Sequence, residues 1–222
     1  VPYRSGGDCD DSDASVYPGS AVFEQDDLCT VDADGDGYGD MSAEAPFDVG
    51  SDCDDSDESV YPGSSRNEQG ELCAVDADGD GYADMLAEEP FDVGSDCDDS
   101  DESIYPGSSR NEQGDLCTLD ADGDGYGDML VEAPFDVGSD CNDADDSVYP
   151  SSAQFEDSAL CVLDADGDGY GDRQSVFPFD VGSDCDDSNQ IVYPGSSQEQ
   201  NPLLCVLDAD GDGYGDSNAQ SP

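Results

Sequence analysis

Five times along the chain, short carboxylates alternate with small residues at a spacing that suits a hard cation. The first run is D-A-D-G-D-G-Y-G-D, from Asp32 to Asp40, and it recurs at Asp76 to Asp84, Asp120 to Asp128, Asp164 to Asp172 and Asp208 to Asp216, with Ala83 replacing one glycine in the second copy. Carboxylates at positions 1, 3 and 5, a glycine at 6, a carbonyl at 7 and a carboxylate at 9 are the first nine places of an EF-hand loop, where the chain curls so that alternate oxygens meet at one centre. The candidate ligands are therefore Asp32, Asp34, Asp36, the Tyr38 carbonyl and Asp40, then Asp76, Asp78, Asp80, Tyr82 and Asp84, then Asp120, Asp122, Asp124, Tyr126 and Asp128. Asp164, Asp166, Asp168, Tyr170 and Asp172 form the fourth set, and Asp208, Asp210, Asp212, Tyr214 and Asp216 the fifth.

The closing bidentate glutamate of an EF-hand is missing, since position 12 holds Ala43, Ala87, Val131, Ser175 or Ala219. Helices are not expected on the flanks either, because Pro46, Pro90, Pro134 and Pro178 follow closely and no 3.6-residue apolar period is present. The missing oxygens are expected from the following segment, P-F-D-V-G-S-D-C-D. Its carboxylates are Asp48, Asp52 and Asp54, then Asp92, Asp96 and Asp98, then Asp136 and Asp140, then Asp180, Asp184 and Asp186, and Asp8 and Asp10 hold the corresponding places at the start. Such sharing makes ions the joints between one repeat and the next.

A second alternation lies in D-C-D-D-S-D-x-S-V-Y-P-G and predicts a second loop site. Its candidate ligands are Asp11, Asp13, Ser15, the Tyr17 carbonyl and Glu24, then Asp55, Asp57, Ser59, Tyr61 and Glu68, then Asp99, Asp101, Ser103, Tyr105 and Glu112. The fourth copy offers Asp143, Asp145, Ser147, Tyr149 and Glu156, and the fifth only Asp187, Asn189 and Tyr193, with Ile191 and Gln200 in the other places, which predicts the weakest calcium site there. A solvated acidic turn is the competing reading, because these residue types are common in turns.

The elements that must position these loops repeat every 44 residues. Cysteines stand at Cys9, Cys53, Cys97, Cys141 and Cys185, and at Cys29, Cys73, Cys117, Cys161 and Cys205, each series in strict 44-residue steps. Residues 1–7 then read as a partial repeat end, followed by repeats at 8–51, 52–95, 96–139, 140–183 and a truncated 184–222, as in a window from a longer array. With no His and no C-x-x-C, the ten cysteines read as five disulfides in an oxidising, extracellular or cell-surface setting. Spacing leaves the pairing open between separations of 20 and 24 residues. The first is favoured: Cys9–Cys29, Cys53–Cys73, Cys97–Cys117, Cys141–Cys161 and Cys185–Cys205. Apolar residues such as Val16, Tyr17, Leu28, Val31, Tyr38, Phe47 and Val49 are too few per repeat for a self-sufficient core, so metal and disulfide staples are needed.

Net charge is -55, with 47 Asp, 12 Glu and only four basic residues, Arg4, Arg66, Arg110 and Arg173. Such a chain repels nucleic acid and anionic membranes and requires bound cations to stay compact. Disorder is the expected metal-free state. The phased Tyr pairs read as packing over the loops in preference to a stacked interface, and the P-G-S-S turns around Ser64 and Ser65 as exposed sites for O-linked sugar. With no His, no Lys and no G-x-S-x-G, no enzyme is expected.

In these two motifs the sequence resembles the MopE-type metal-binding repeat family of bacterial surface proteins, and more distantly it is similar to thrombospondin type 3 repeats. The resemblance implies an extracellular location, calcium structuring and little regular secondary structure. One family member is associated with copper, but a chain without His or Trp offers no imidazole or indole-derived ligand, so copper is not carried over. The expected molecule is an elongated tandem-repeat rod, mostly loops and turns with short β-strands, stapled by Ca2+ and disulfides. At least two Ca2+ per repeat are expected. Its expected role is a stalk, surface layer or filament subunit, with self-association into a filament or surface array. The alternatives are an adhesion module presented on such a rod, or a calcium-storing or mineral-templating polyanion.

Overall fold

The computed structural model describes residues 7–216. Two compact units divide the chain, Val1–Pro106 and Gly107–Pro222. Among the described residues there is no helix, and the expected short strands take the form of isolated single-pair bridges. The reason is local. Gly, Pro, Asp and Ser recur every few residues, and each diverts the chain into a turn before a ladder can extend.

In the first unit the bridges are parallel at Asp40↔Asp52 and Asp84↔Asp96 and antiparallel at Pro62↔Cys73. In the second they are parallel at Asp128↔Asp140 and Asp172↔Asp184 and antiparallel at Pro150↔Cys161 and Pro194↔Cys205. The parallel bridges matter most here, because each ties the end of an acidic loop to the start of the next repeat. The Met41 N–H donates to the Asp52 carbonyl (2.7 Å), the Asp52 N–H to the Gly39 carbonyl (2.8 Å) and the Gly50 N–H to the Asp40 carbonyl (3.0 Å). In the second unit Met129, Asp140 and Gly138 donate in the same way to Asp140, Gly127 and Asp128, at 2.8, 2.8 and 3.1 Å.

The core is small and centred on disulfides. Cys53, Val60 and Cys73 cluster with Val75 and Phe91 in the first unit, and Cys141, Val148 and Cys161 with Met129, Leu163 and Phe179 in the second. Cys9–Cys29, Cys53–Cys73, Cys141–Cys161 and Cys185–Cys205 are bonded at a separation of 20 residues, and Cys97 and Cys117 are disulfide-bonded as well. Not every apolar residue joins this core. Val49, Val93, Val137 and Val181 are 59–62% exposed, one in each successive repeat.

Close packing under the acidic loop explains the Ala83 exception. A Cβ on Gly39, Gly127 or Gly171 would collide with the side chain of Thr30, Thr118 or Val162. In the second repeat the facing residue is Ala74, 1% exposed, and Ala83 fits with no exposed surface. The small facing residue makes room for the methyl group. Gly127→Ala is therefore expected to destabilise the second unit by about 1–3 kcal/mol through overpacking. Adding Thr118→Ala should recover most of that loss, and chemical denaturation of the two variants checks it.

Candidate metal centres

Each acidic loop fixes its carboxylates through its own backbone. Asp32 Oδ1 accepts from the Gly35 N–H (2.8 Å), Asp34 Oδ1 from the Asp36 N–H (3.1 Å) and Asp36 Oδ1 from the Tyr38 N–H (2.7 Å). The curl needs the left-handed backbone at Gly35 and Gly37, with φ of 87° and 101°. One oxygen of each carboxylate is thereby held and the other left over. The Oδ2 atoms of Asp34 and Asp36 are buried with no hydrogen-bond partner.

The parallel bridge brings a third such carboxylate from the next repeat. Asp52 is 0% exposed, its Oδ1 accepts from the Asp54 N–H (2.9 Å), and its Oδ2 is also buried and unpartnered. The same triad of orphaned oxygens recurs at Asp78, Asp80 and Asp96, at Asp122, Asp124 and Asp140, and at Asp166, Asp168 and Asp184. Asp96, Asp140 and Asp184 are likewise 0% exposed. A buried carboxylate oxygen without a donor is costly, and four identical triads of them mark a place for a cation.

A second group adjoins the first. Asp55 Oδ1 accepts from the Ala33 N–H of the preceding loop (2.7 Å), and carboxylate oxygens of Asp32, Asp34 and Asp55 lie within 4.8 Å of one another. Asp99, Asp143 and Asp187 reach Ala77, Ala121 and Ala165 at 2.7, 2.7 and 2.8 Å. The electrostatics follow this grouping. Burial, then Asp36, Asp34 and Asp55, push Asp52 up to about 6, and burial, then Asp40, Asp34 and Asp32, push Asp55 up to about 6. Asp96, Asp99, Asp140, Asp143 and Asp187 are raised to about 6 by the same causes, burial foremost. Each junction thus gathers six aspartates, four from one loop and two from the next repeat, with Asp34 or its equivalent common to both groups.

The second acidic run does not close into a loop of its own. Asp13 Oδ1 accepts from both the N–H and the Oγ of Ser15 (2.9 and 2.6 Å), and Asp57–Ser59, Asp101–Ser103 and Asp145–Ser147 repeat the pattern on the surface. These bonds, the serine hydroxyl first, hold Asp13, Asp57, Asp101 and Asp145 below the usual carboxylate range. Asp10, Asp54, Asp98 and Asp186 bind Ser12, Ser56, Ser100 and Ser188 likewise. The carbonyls of Tyr17, Tyr61, Tyr149 and Tyr193 accept turn bonds from Ser20, Ser64, Ser152 and Ser196. A serine two residues after an aspartate satisfies one of its oxygens locally, as in an acidic turn. The run's first member alone joins a centre, and that centre belongs to the preceding loop. The losses at Asn189 and Ile191 consequently leave the fourth junction intact, since Asp187 keeps its place.

The glutamates expected to close the second loop are latches. Glu24 Oε1 accepts from the Ser51 N–H and Oγ (2.7 and 2.6 Å), immediately before Asp52. Glu68 holds Ser95 and the Ala83 N–H, Glu112 holds Ser139 and the Gly127 N–H, and Glu156 holds Ser183 and the Gly171 N–H. Asp48, Asp92, Asp136 and Asp180 also stand outside the centres, where their Oδ2 atoms accept from the N–H of Cys29, Cys73, Cys117 and Cys161. Glu112→Gln is expected to lower metal affinity at the Asp120–Asp143 junction about tenfold, as loss of an outer-shell support does. Calorimetric titration should show that one junction weakened and the others unchanged.

Other placements differ from the sequence reading. Ser65 is 3% exposed and the Ser64 Oγ donates to the Ala74 carbonyl (3.1 Å), so the P-G-S-S turn faces inward and not toward a glycan. The tyrosines do stack across consecutive repeats. Tyr38–Tyr61, Tyr82–Tyr105, Tyr126–Tyr149 and Tyr170–Tyr193 have centroids 5.4–5.5 Å apart and planes within 8–11°. The fifth loop, Asp208 to Asp216, keeps its internal bonds, from Gly211 to Asp208 (2.9 Å) and from Tyr214 to Asp212 (2.9 Å). Among the described residues no Asp52-type carboxylate meets it, and Asp210 and Asp212 are exposed. Asp8 and Asp11, the counterparts of Asp52 and Asp55, are exposed too.

Disulfide-stapled repeats whose junctions bury converging, unpartnered carboxylates define a metal-binding tandem-repeat protein. Five segments, 8–28, 52–84, 96–109, 140–158 and 184–197, match the Cu-binding_MopE family, described as "Putative metal-binding motif", and residues 108–130 match the thrombospondin type 3 repeat. Both resemblances carried by the two acidic runs are thereby shown. Neither a curated protein nor a solved structure matches the chain. No helix among the described residues is long and apolar enough to cross a membrane.

Proposed function

We propose that the chain is an extracellular structural protein whose consecutive repeats are joined by calcium into a stiff stalk, surface layer or filament. The observation that carries this reading is the fully buried Asp52, Asp96, Asp140 and Asp184, each with an unpartnered oxygen beside two more from the preceding loop. All the donors are hard oxygens, as calcium requires, and copper is poorly served: the chain has no His and no cysteine is free. One ion fits Asp34, Asp36 and Asp52, and a second fits Asp32, Asp34, Asp40 and Asp55, so both belong to one junction. The disulfides suit an oxidising compartment. No catalytic role is assigned, because the carboxylates are engaged in turns, latches and junctions.

Calorimetric titration of the oxidised, metal-free chain with calcium tests the reading. Saturation at about eight ions, two for each of four junctions, is expected. Unsaturable weak uptake at that point would instead describe a loose polyanion and sink the proposal.

A further inference from the structure

Resting on the calcium reading, we propose that the composite junctions prefer trivalent lanthanide ions to calcium by a wide margin, so that the chain is also a lanthanide-capturing polymer. The charge of the site carries this. Asp32, Asp34, Asp36, Asp40, Asp52 and Asp55 bring six negative charges to the first junction, and no basic side chain belongs to either contributing segment. The second and third junctions repeat the same six carboxylates without a basic residue. Two divalent ions leave two of these charges uncompensated in a half-buried place whose innermost member, Asp52, is fully buried, whereas two trivalent ions leave none.

The donor geometry supports the same ion class. One oxygen each of Asp34, Asp36 and Asp52 is already fixed by a backbone N–H and the other is buried and unpartnered, and the Asp40↔Asp52 bridge holds the loop beside the next repeat. In the closed junction these carboxylate oxygens are out of water, and the ion of higher charge gains more from them. An all-oxygen donor set is the chemistry that hard, highly coordinated cations select. The fourth junction supplies an internal contrast. Arg173, an exposed residue, follows Asp172 in the chain where the others have Met41, Met85 and Met129, so this contributing segment alone carries a positive charge.

Terbium(III) is the probe, with the tyrosines serving as antennae: Tyr38 follows Asp36 by two residues and stacks on Tyr61. The full oxidised chain, loaded with calcium in phosphate-free buffer, is titrated with terbium chloride while tyrosine-sensitised emission is followed. Emission should saturate near about eight ions per chain, and half-displacement should then need about a thousandfold excess of calcium. Arg173→Met, a surface change, should raise terbium affinity at the fourth junction more than calcium affinity there. The inference is overturned if calcium displaces terbium at comparable concentration, or if Arg173→Met moves both affinities equally. Calcium calorimetry separates the two readings: saturable calcium binding without terbium preference defeats this inference alone, and absence of saturable calcium binding defeats both.

Discussion

Chelation of calcium from the oxidised chain is expected to abolish the order of the four junctions while leaving the disulfide rings closed. The apolar clusters are too small to hold the repeats by themselves, being built on a cystine, one valine and a few half-buried neighbours. The side chains that are most completely buried include Asp52, Asp96, Asp140 and Asp184, which are the groups that most need a counter-charge. Without cations, six converging carboxylates repel one another at each junction, and the parallel bridge is the contact that must part. Hydrogen exchange reads this directly. The Met41 and Asp52 amides, bonded to the Asp52 and Gly39 carbonyls, should lose about a hundredfold or more of their protection on chelation, and regain it when calcium returns. Near-ultraviolet dichroism of the stacked tyrosines should fall in parallel. Unchanged protection at these amides would show that disulfides and turns hold the junction without metal.

The repeat, the staples and the main loop were legible because each depends on a local spacing. The 44-residue step of the cysteines needs no folding to be read, and D-x-D-x-D-G dictates its own curl through Gly35 and Gly37. Even the absence of a closing glutamate pointed toward the next repeat, where Asp52 stands beside the loop. The second acidic run is harder to read, because an aspartate followed two residues later by serine has the same alternation whether it binds a cation or its own serine. The Asp13–Ser15 bond engages one of the two carboxylate oxygens, and it is a matter of 2.6 Å geometry rather than of composition. Glu24 was hidden for the opposite reason. Its partner Ser51 lies 27 residues away, and nothing in the spacing of either residue announces the other. The pairing of Ala83 with Ala74 was likewise visible only as an exception to the pattern, since its meaning lies in contact across the loop.

Calcium should reverse the way stability depends on pH. In the metal-free chain Asp52, Asp55, Asp96, Asp99, Asp140 and Asp143 are pushed up to about 6 from an ordinary 3.8, chiefly by burial and then by neighbouring carboxylates. A raised carboxyl favours the protonated form in the folded state, so folding takes up protons between those two values. Its contribution is fully present below 3.8 and is lost as pH rises through about 6. Metal-free stability should therefore increase on mild acidification. The surface carboxylates Asp13, Asp57, Asp101 and Asp145 are shifted the other way, so their contribution is lost only as pH falls below the ordinary range, outside this window. The loaded chain behaves oppositely. Calcium binds only the ionised form, so its affinity and the stability it confers fall as pH drops through about 6, with protons released on binding in that range. Asp140→Asn separates the two effects at one junction. Near neutral pH it should stabilise the metal-free second unit by removing a buried charge, yet lower calcium affinity there by about a hundredfold through loss of a ligand. Urea unfolding with calcium and with chelator, at pH values above and below 6, measures both. If the variant weakened both forms alike, Asp140 would be a packing residue and the junction would not be a metal centre.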